Sequence, residues 1–306
     1  MRNRQYALHL VILSCCWMTT LHAEPSPNTR VAPGKVFIYK TSHGQPQKME
    51  VYFPKSQGGG TNKVPGILLF HGGGWKGGDL SQFRYACEYF AKRGLVAATA
   101  SYYMHSEAEA KALPHGVSRK RVCVTDAVSA LRWFKQHADE LGIDPNRIII
   151  GGGSAGGHIA LLATLQRDLG DPADPKGIDT SVLGYLFFCS AFTTDGKDND
   201  KTVDAFAQLK PGIAPSLFLF GEQDPWLPAT EKLVPALRKT GARTELLVAD
   251  KVGHMFFVGP GWYDTALNEC DRFLVSLGVL SGESLAHKPA GKDFDPKKSS
   301  LRLFQD

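Results

Sequence analysis

Ile148-Ile149-Ile150-Gly151-Gly152-Gly153-Ser154-Ala155-Gly156-Gly157-His158 decides how the chain is read. An apolar strand runs into a glycine cluster and then into a helix, and two motifs overlap at the junction. Gly152-x-Ser154-x-Gly156 has the form of a nucleophile elbow, a strand-to-helix turn so tight that small neighbours are required and the serine Oγ is left at the helix N-terminus. Gly151-x-Gly153-x-x-Gly156 also matches the dinucleotide fingerprint, whose glycines admit a pyrophosphate. That fingerprint belongs on the first strand, with an acid at the end of the next. Here several strands come first, and Asp171 and Asp174 fall in a loop after the helix. The elbow is the better reading.

Outward from this junction the signals alternate. Val36–Lys40 and Met49–Phe53 read as an antiparallel pair, and Val64–Phe70 as a buried strand. Ser81–Lys92 reads as a helix capped by its serine, Leu95–Ala100 as a strand, and Val117–Leu141 as one long amphipathic helix. After the elbow come strands at Val182–Phe188, Ser216–Phe220 and Thr244–Ala249, with helices at Ala229–Lys239 and Trp262–Leu277. Strands separated by helices predict right-handed crossovers and a mostly parallel sheet covered on both faces, the opening pair supplying an antiparallel edge.

Three further motifs bear on chemistry. The strand ending at Phe70 delivers His71-Gly72-Gly73-Gly74-Trp75. A run of three glycines is entropically costly and suits a loop that turns its amides inward. With the N–H of Ala155, those amides would form an oxyanion hole. A serine nucleophile also needs a base and an orienting acid, in the order Ser, Asp or Glu, His for this architecture. Asp224-Pro225 and Gly253-His254 each follow a predicted strand, which brings Ser154, Asp224 and His254 to one edge of the sheet. Glu222 is the rival acid, set too near its strand. His71 and His158 read as structural hydrogen bonders, and His105, His115, His137 and His287 have no evident carboxylate partner.

Together, these motifs resemble the α/β-hydrolases of the esterase/lipase group, notably the His-Gly-Gly-Gly-Trp branch that includes secreted bacterial acetyl xylan and related carbohydrate esterases. The resemblance covers residues 36 to 278. It implies Ser154 as nucleophile, His254 as general base, Asp224 as its partner, and Gly73, Gly74 and Ala155 as oxyanion donors. It also implies an acyl-enzyme mechanism that uses no metal or organic cofactor. The segment Cys189–Pro215 stands where many relatives carry a sizeable cap, so the acyl group is expected to be short, acetyl above all. Trp75, Tyr102 and Trp226 are candidate walls for the alcohol part, a small molecule or a polysaccharide. The alternatives are a serine peptidase-like hydrolase and a non-catalytic binding protein on the same scaffold.

The rest of the chain bounds these expectations. Its 306 residues are 43% hydrophobic and 21% charged, which is globular composition. The net charge of +5 is dispersed, which excludes a nucleic-acid stripe, and no internal repeat is present. Arg2 and Arg4, the apolar stretch Tyr6–Trp17 and the small Ala23 predict a cleaved secretory signal at residues 1–23 and a secreted or periplasmic protein with no stable membrane span. Ile12-Leu13-Ser14-Cys15 is a fainter match to lipoprotein processing. Residues 24–35 then form a leader, 36–280 the catalytic domain and 281–306 a polar extension. Signal removal lowers the charge to +3 and leaves Cys87, Cys123, Cys189 and Cys270. In a hydrolase fold Cys87 and Cys270 would lie on helices covering the same face, a candidate disulfide.

Overall fold

In the computed structural model, residues 31–55, 63–192, 200–259, 261–286 and 301–304 are described. The expected signal peptide, most of the leader, His287 and most of the extension lie outside them. The strands are β1 (Lys35–Ser42), β2 (Gln45–Tyr52), β3 (Val64–Phe70), β4 (Val96–Ala100), β5 (Ile143–Gly153), β6 (Gly184–Phe188), β7 (Ser216–Gly221), β8 (Thr244–Ala249) and β9 (Leu301–Leu303). They form one sheet in the order β1-β2-β4-β3-β5-β6-β7-β8-β9. From β4 to β8 every pairing is parallel, and the antiparallel pairs lie at the two edges. This is an α/β-hydrolase fold.

Alternation along the central strands builds two cores. Leu68, Phe70, Ile148 and Ile150 face one side, where they pack with α3 (Arg119–Gln136), α5 (Ala155–Leu165) and α6 (Leu227–Lys239). Ile67, Leu69, Ile149 and Leu217 face the other, against α1 (Arg84–Lys92) and α7 (Trp262–Ser276). Successive side chains of a strand point to opposite faces, so strands covered on both sides are apolar throughout, as these are.

Several local expectations change. The helix leading into α1 begins as a 3-10 turn at Leu80–Phe83, and its cap is Asp79 rather than Ser81: Asp79 Oδ1 accepts from the Ser81 amide at 2.7 Å. The long helix predicted over 117–141 is two, α3 and a single turn α4 (Ala138–Leu141), broken at His137, whose Nδ1 bonds the Trp133 carbonyl at 2.9 Å. A short helix α2 (Glu107–Lys111) fills the loop before α3 and carries a capping box between Ser106 and Glu109. Leu301–Leu303 adds an antiparallel edge strand to β8. Cys87 and Cys270 do lie in the same core, on α1 and α7, but both are buried free thiols, as are Cys123 and Cys189.

Between β6 and β7 the chain has 3-10 turns at Lys201–Val203 and Phe206–Gln208, while residues 193–199 of the same connection are outside the described set. Asp200 ties this connection to α3. Its buried carboxylate meets the Arg121 guanidinium at 2.6 and 2.8 Å, and accepts from Ser118 and Thr202. Burial alone would raise the Asp200 carboxyl, but the Arg121 fork, the Thr202 hydroxyl and the Ser118 amide override it and hold the group at about 2. A depressed acid contributes stability above its unfolded pKa of about 3.9 and loses it as the pH falls toward the folded value. Asp200→Asn should therefore cost about 2–3 kcal/mol at pH 7, by urea denaturation, and much less near pH 2.

Candidate active site

Strand order reverses around β3, with β4 on one side and β5 on the other, and open parallel sheets bind ligands at the carboxyl ends of strands beside such a switch. At that end β5 runs straight into α5 through Ser154, whose φ of 49° and ψ of −119° are strained for a residue with a side chain, at a cost on the order of 1–3 kcal/mol. The turn is held by its neighbours. Ser154 N donates to the Phe188 carbonyl of β6, and Ser154 O accepts from Ala191 N, both at 2.9 Å. A Cβ at Gly156 would come within 2.0 Å of the Phe70 carbonyl oxygen, so only glycine lets α5 start this close to β3. The dinucleotide motif belongs on the first strand with an acid at the end of the next, whereas β5 is the fifth strand along the chain and β6 ends in Phe188-Cys189 with no acid. The dinucleotide alternative is thereby removed.

The three triad candidates meet. His254 Nε2 lies 3.0 Å from Ser154 Oγ, and His254 Nδ1 lies 3.0 Å from Asp224 Oδ2. An ionised carboxylate can only accept, so Nδ1 carries the proton and Nε2 presents its lone pair to the serine hydroxyl. Asp224 stands just past β7, its side chain fully buried and its other oxygen accepting from Trp226 N at 2.9 Å. His254 remains partly open to solvent. Glu222 is excluded as the acid: it bonds the Lys251 amide and Arg302 instead.

The glycine tract closes against the elbow. A Cβ built at Gly72 would lie 3.0 Å from the Ser154 Cβ, which places the tract beside the nucleophile candidate. Gly73, at φ +131°, packs so closely on the Gly77 carbonyl that its Cβ would come within 2.0 Å of that oxygen. The Gly72 amide is occupied by Gln82 Oε1 at 2.6 Å. Among the described residues the amides of Gly73, Gly74 and Ala155 have no protein acceptor, which leaves them for a developing oxyanion.

Of the candidate walls, Trp75 and Trp226 meet edge to face at 6.4 Å, and Trp75 Nε1 donates to His158 Nδ1 at 3.3 Å. His158 is anchored by the Val203 carbonyl at 2.8 Å, which makes it the structural histidine expected. Tyr102 is not a wall. It is buried, its ring stacks on His71 and its hydroxyl donates to the His71 carbonyl at 2.9 Å, so it supports the tract from behind. Burial pushes the His71 imidazole down, in keeping with a neutral packing role.

Two residues at the site had not been singled out for it. Gln82 clamps the tract, and its only sequence signal is its position shortly after the glycines. Cys189, at φ 48°, stands beside the Asp224 carboxylate, and burial, followed by the Asp224 charge, pushes its thiol well above its ordinary range. Cys189, Asp224 and His254 place their ligand-type atoms within 4.8 Å of one another. A metal there would require a thiolate and a free imidazole nitrogen. The thiol is pushed toward its protonated form and both imidazole nitrogens are engaged, so neither is offered as a ligand.

Comparison with known proteins finds esterases among those similar to this chain. The BD-FAE family model matches residues 49–206. The chain is 29% identical over 240 residues to the carboxylic ester hydrolase LipN of Mycobacterium tuberculosis, an alignment covering 67% of this chain and 60% of LipN's own length. The propionate-bound structure of Thermogutta terrifontis esterase 2 superposes with a TM-score of 0.74 at 31% identity, over 82% of this chain and 97% of that one. The form of that esterase phosphorylated by paraoxon matches with a TM-score of 0.74 at 32% identity, over 83% of this chain and 97% of that one.

Gln82→Met keeps the side chain's length and removes the acceptor for the Gly72 amide. Its kcat on p-nitrophenyl acetate should fall about ten- to a hundredfold with KM changed less than about threefold, because a displaced oxyanion donor is felt mainly in the transition state.

Proposed function

The chain belongs to the BD-FAE family of α/β-hydrolases, and from that premise we propose that it is a serine esterase that cleaves short-chain carboxylic esters through an acyl-enzyme. The observation that carries this is the unbroken hydrogen-bond chain from Ser154 Oγ through His254 to Asp224, with 3.0 Å at each link. As Oγ attacks the ester carbonyl carbon, His254 Nε2 takes its proton. Asp224 stays ionised and stabilises the imidazolium through the bond at Nδ1. The carbonyl electrons move onto oxygen, where the amides of Gly73, Gly74 and Ala155 receive the charge. Collapse expels the alcohol, which takes the proton from His254, and leaves Ser154 acylated. Water then attacks the acyl carbon by the same sequence with His254 again as base, which releases the carboxylic acid.

A small acyl group agrees with the propionate held by the related esterase. The larger part of the substrate is then the alcohol, against which Trp75 and Trp226 present aromatic surface. An acylated carbohydrate suits that surface and suits the proposed export of the chain after removal of residues 1–23. The resemblance of His71–Trp75 to the acetyl xylan and related carbohydrate esterases supports the same assignment.

Ser154→Ala should lower kcat on p-nitrophenyl acetate by about a thousandfold or more with the fold unchanged by circular dichroism. Near wild-type turnover in that variant would refute the mechanism. In a chain-length series, kcat/KM should peak at acetyl to butyryl, and acetate should be released from acetylated xylan. A peak at octanoyl or longer with no acetate released would refute the substrate class.

A further inference from the structure

We infer that the site is extended by a cationic subsite that takes a carboxylate carried on the alcohol part of the ester. This deepens the serine esterase reading above and rests on it for the placement of the scissile bond. The observation is a cavity of about 450 Å³ whose inner wall is Gly74 and Trp75, the far end of the tract that carries the oxyanion donors. Its other walls come from α2 and the start of α3. Among the described residues four cations line it, Lys76, Lys111, Arg119 and Lys120, with one carboxylate, that of Glu107.

Among the described residues the one carboxylate of that set is shared between two cations, and Lys111 is left over. Glu107 accepts from Arg119 at 2.8 Å and lies 3.7 Å from Lys76, so one carboxylate serves two cations. The Arg119 guanidinium, first as hydrogen-bond donor and then as charge, holds the Glu107 carboxyl below its ordinary range. Lys120 Nζ stands 4.3 Å above the Trp75 ring, which fixes an ammonium on the wall shared with the tract. Lys111 makes no ion pair among the described residues and lines the same cavity. The Trp75 ring meanwhile meets His158 and Trp226 edge to face, and Trp226 donates its amide to the Asp224 carboxylate. A group bound over the tract and extending past Trp75 therefore passes from the aromatic walls into a field set by several like charges, where an anion is attracted and a cation repelled.

The occupant this chemistry selects is an alcohol bearing a carboxylate, as in an acylated acidic sugar or an acylated hydroxy acid. Lys76 and Lys111 are both exposed, so replacing them alters the field without opening the core.

The test uses binding, so that it does not depend on turnover. In the full-length Ser154→Ala protein, calorimetric titration at low ionic strength should give para-acetoxybenzoate about fivefold tighter binding than the neutral para-acetoxybenzamide. Adding Lys76→Ala and Lys111→Ala should reduce that preference below about twofold, as should roughly 0.5 M sodium chloride, which screens charges a few ångströms apart in solvent. Equal binding of the two compounds, or a preference that survives both changes, overturns the subsite. Turnover by the wild-type chain is read separately. Binding preference without hydrolysis of either ester would refute the esterase reading and leave the subsite standing, whereas hydrolysis without preference would refute the subsite alone.

Discussion

A single close approach sets the geometry of the site: the Phe70 carbonyl at the end of β3 lies where a side chain at position 156 would have to be. That approach brings the start of α5 against β3 and forces Ser154 into its positive-φ turn. It also sets the glycine tract that follows Phe70 beside the serine. The proposed donors of the tract and the proposed nucleophile therefore follow adjacent strands and are positioned largely by backbone packing. Preorganised donors of this kind need little reorganisation as charge develops. Each further component hangs on this core. Tyr102 and His71 back the tract, Gln82 holds its first amide, and Phe188 at the end of β6 receives the Ser154 amide.

The proposed acid and the proposed base are held differently. Asp224 is buried, receives the Trp226 amide on one oxygen and meets His254 on the other, and so has its carboxylate fixed before any substrate arrives. His254 remains partly exposed on a loop and is oriented by two hydrogen bonds, one to each ring nitrogen. Rigidity at the acid and access at the base suit a proton that must leave the serine and be returned to an alcohol. Farther out, the Asp200–Arg121 pair pins the connection that supplies Val203 to His158, and His158 in turn orients Trp75. The wall of the site is thus tied to the stability of that connection.

Much of this was legible in the sequence because it depends on backbone constraints that leave compositional marks. Glycines at 152, 156 and 72–74, apolar runs at β3 and β5, and an Asp and a His each just past a strand are such marks, and the structure brings their side chains into one hydrogen-bonded line. What could not be read depends on which of several equivalent groups wins in space. Asp79 and Ser81 are both good caps, and only the turn's geometry selects Asp79. The amphipathic period over 117–141 continues across His137, yet the imidazole takes the Trp133 carbonyl and the helix restarts. Tyr102 follows a strand end like a site residue, but the alternation of side chains turns it inward onto His71. Gln82 and Cys189 act through single contacts that no pattern announces. Cys87 and Cys270 share a face as expected, and their buried thiols are simply packed there.

The central claim is that the elbow holds Ser154 as a nucleophile that His254 activates. Reaction with paraoxon tests it most directly, because phosphorylation requires an activated hydroxyl and leaves a mark that can be located. The account predicts one diethylphosphoryl group per chain, found by peptide mass spectrometry on Ser154, with the reaction slowed about a hundredfold or more in His254→Ala. An unmodified Ser154, or modification at the same rate without His254, would contradict it.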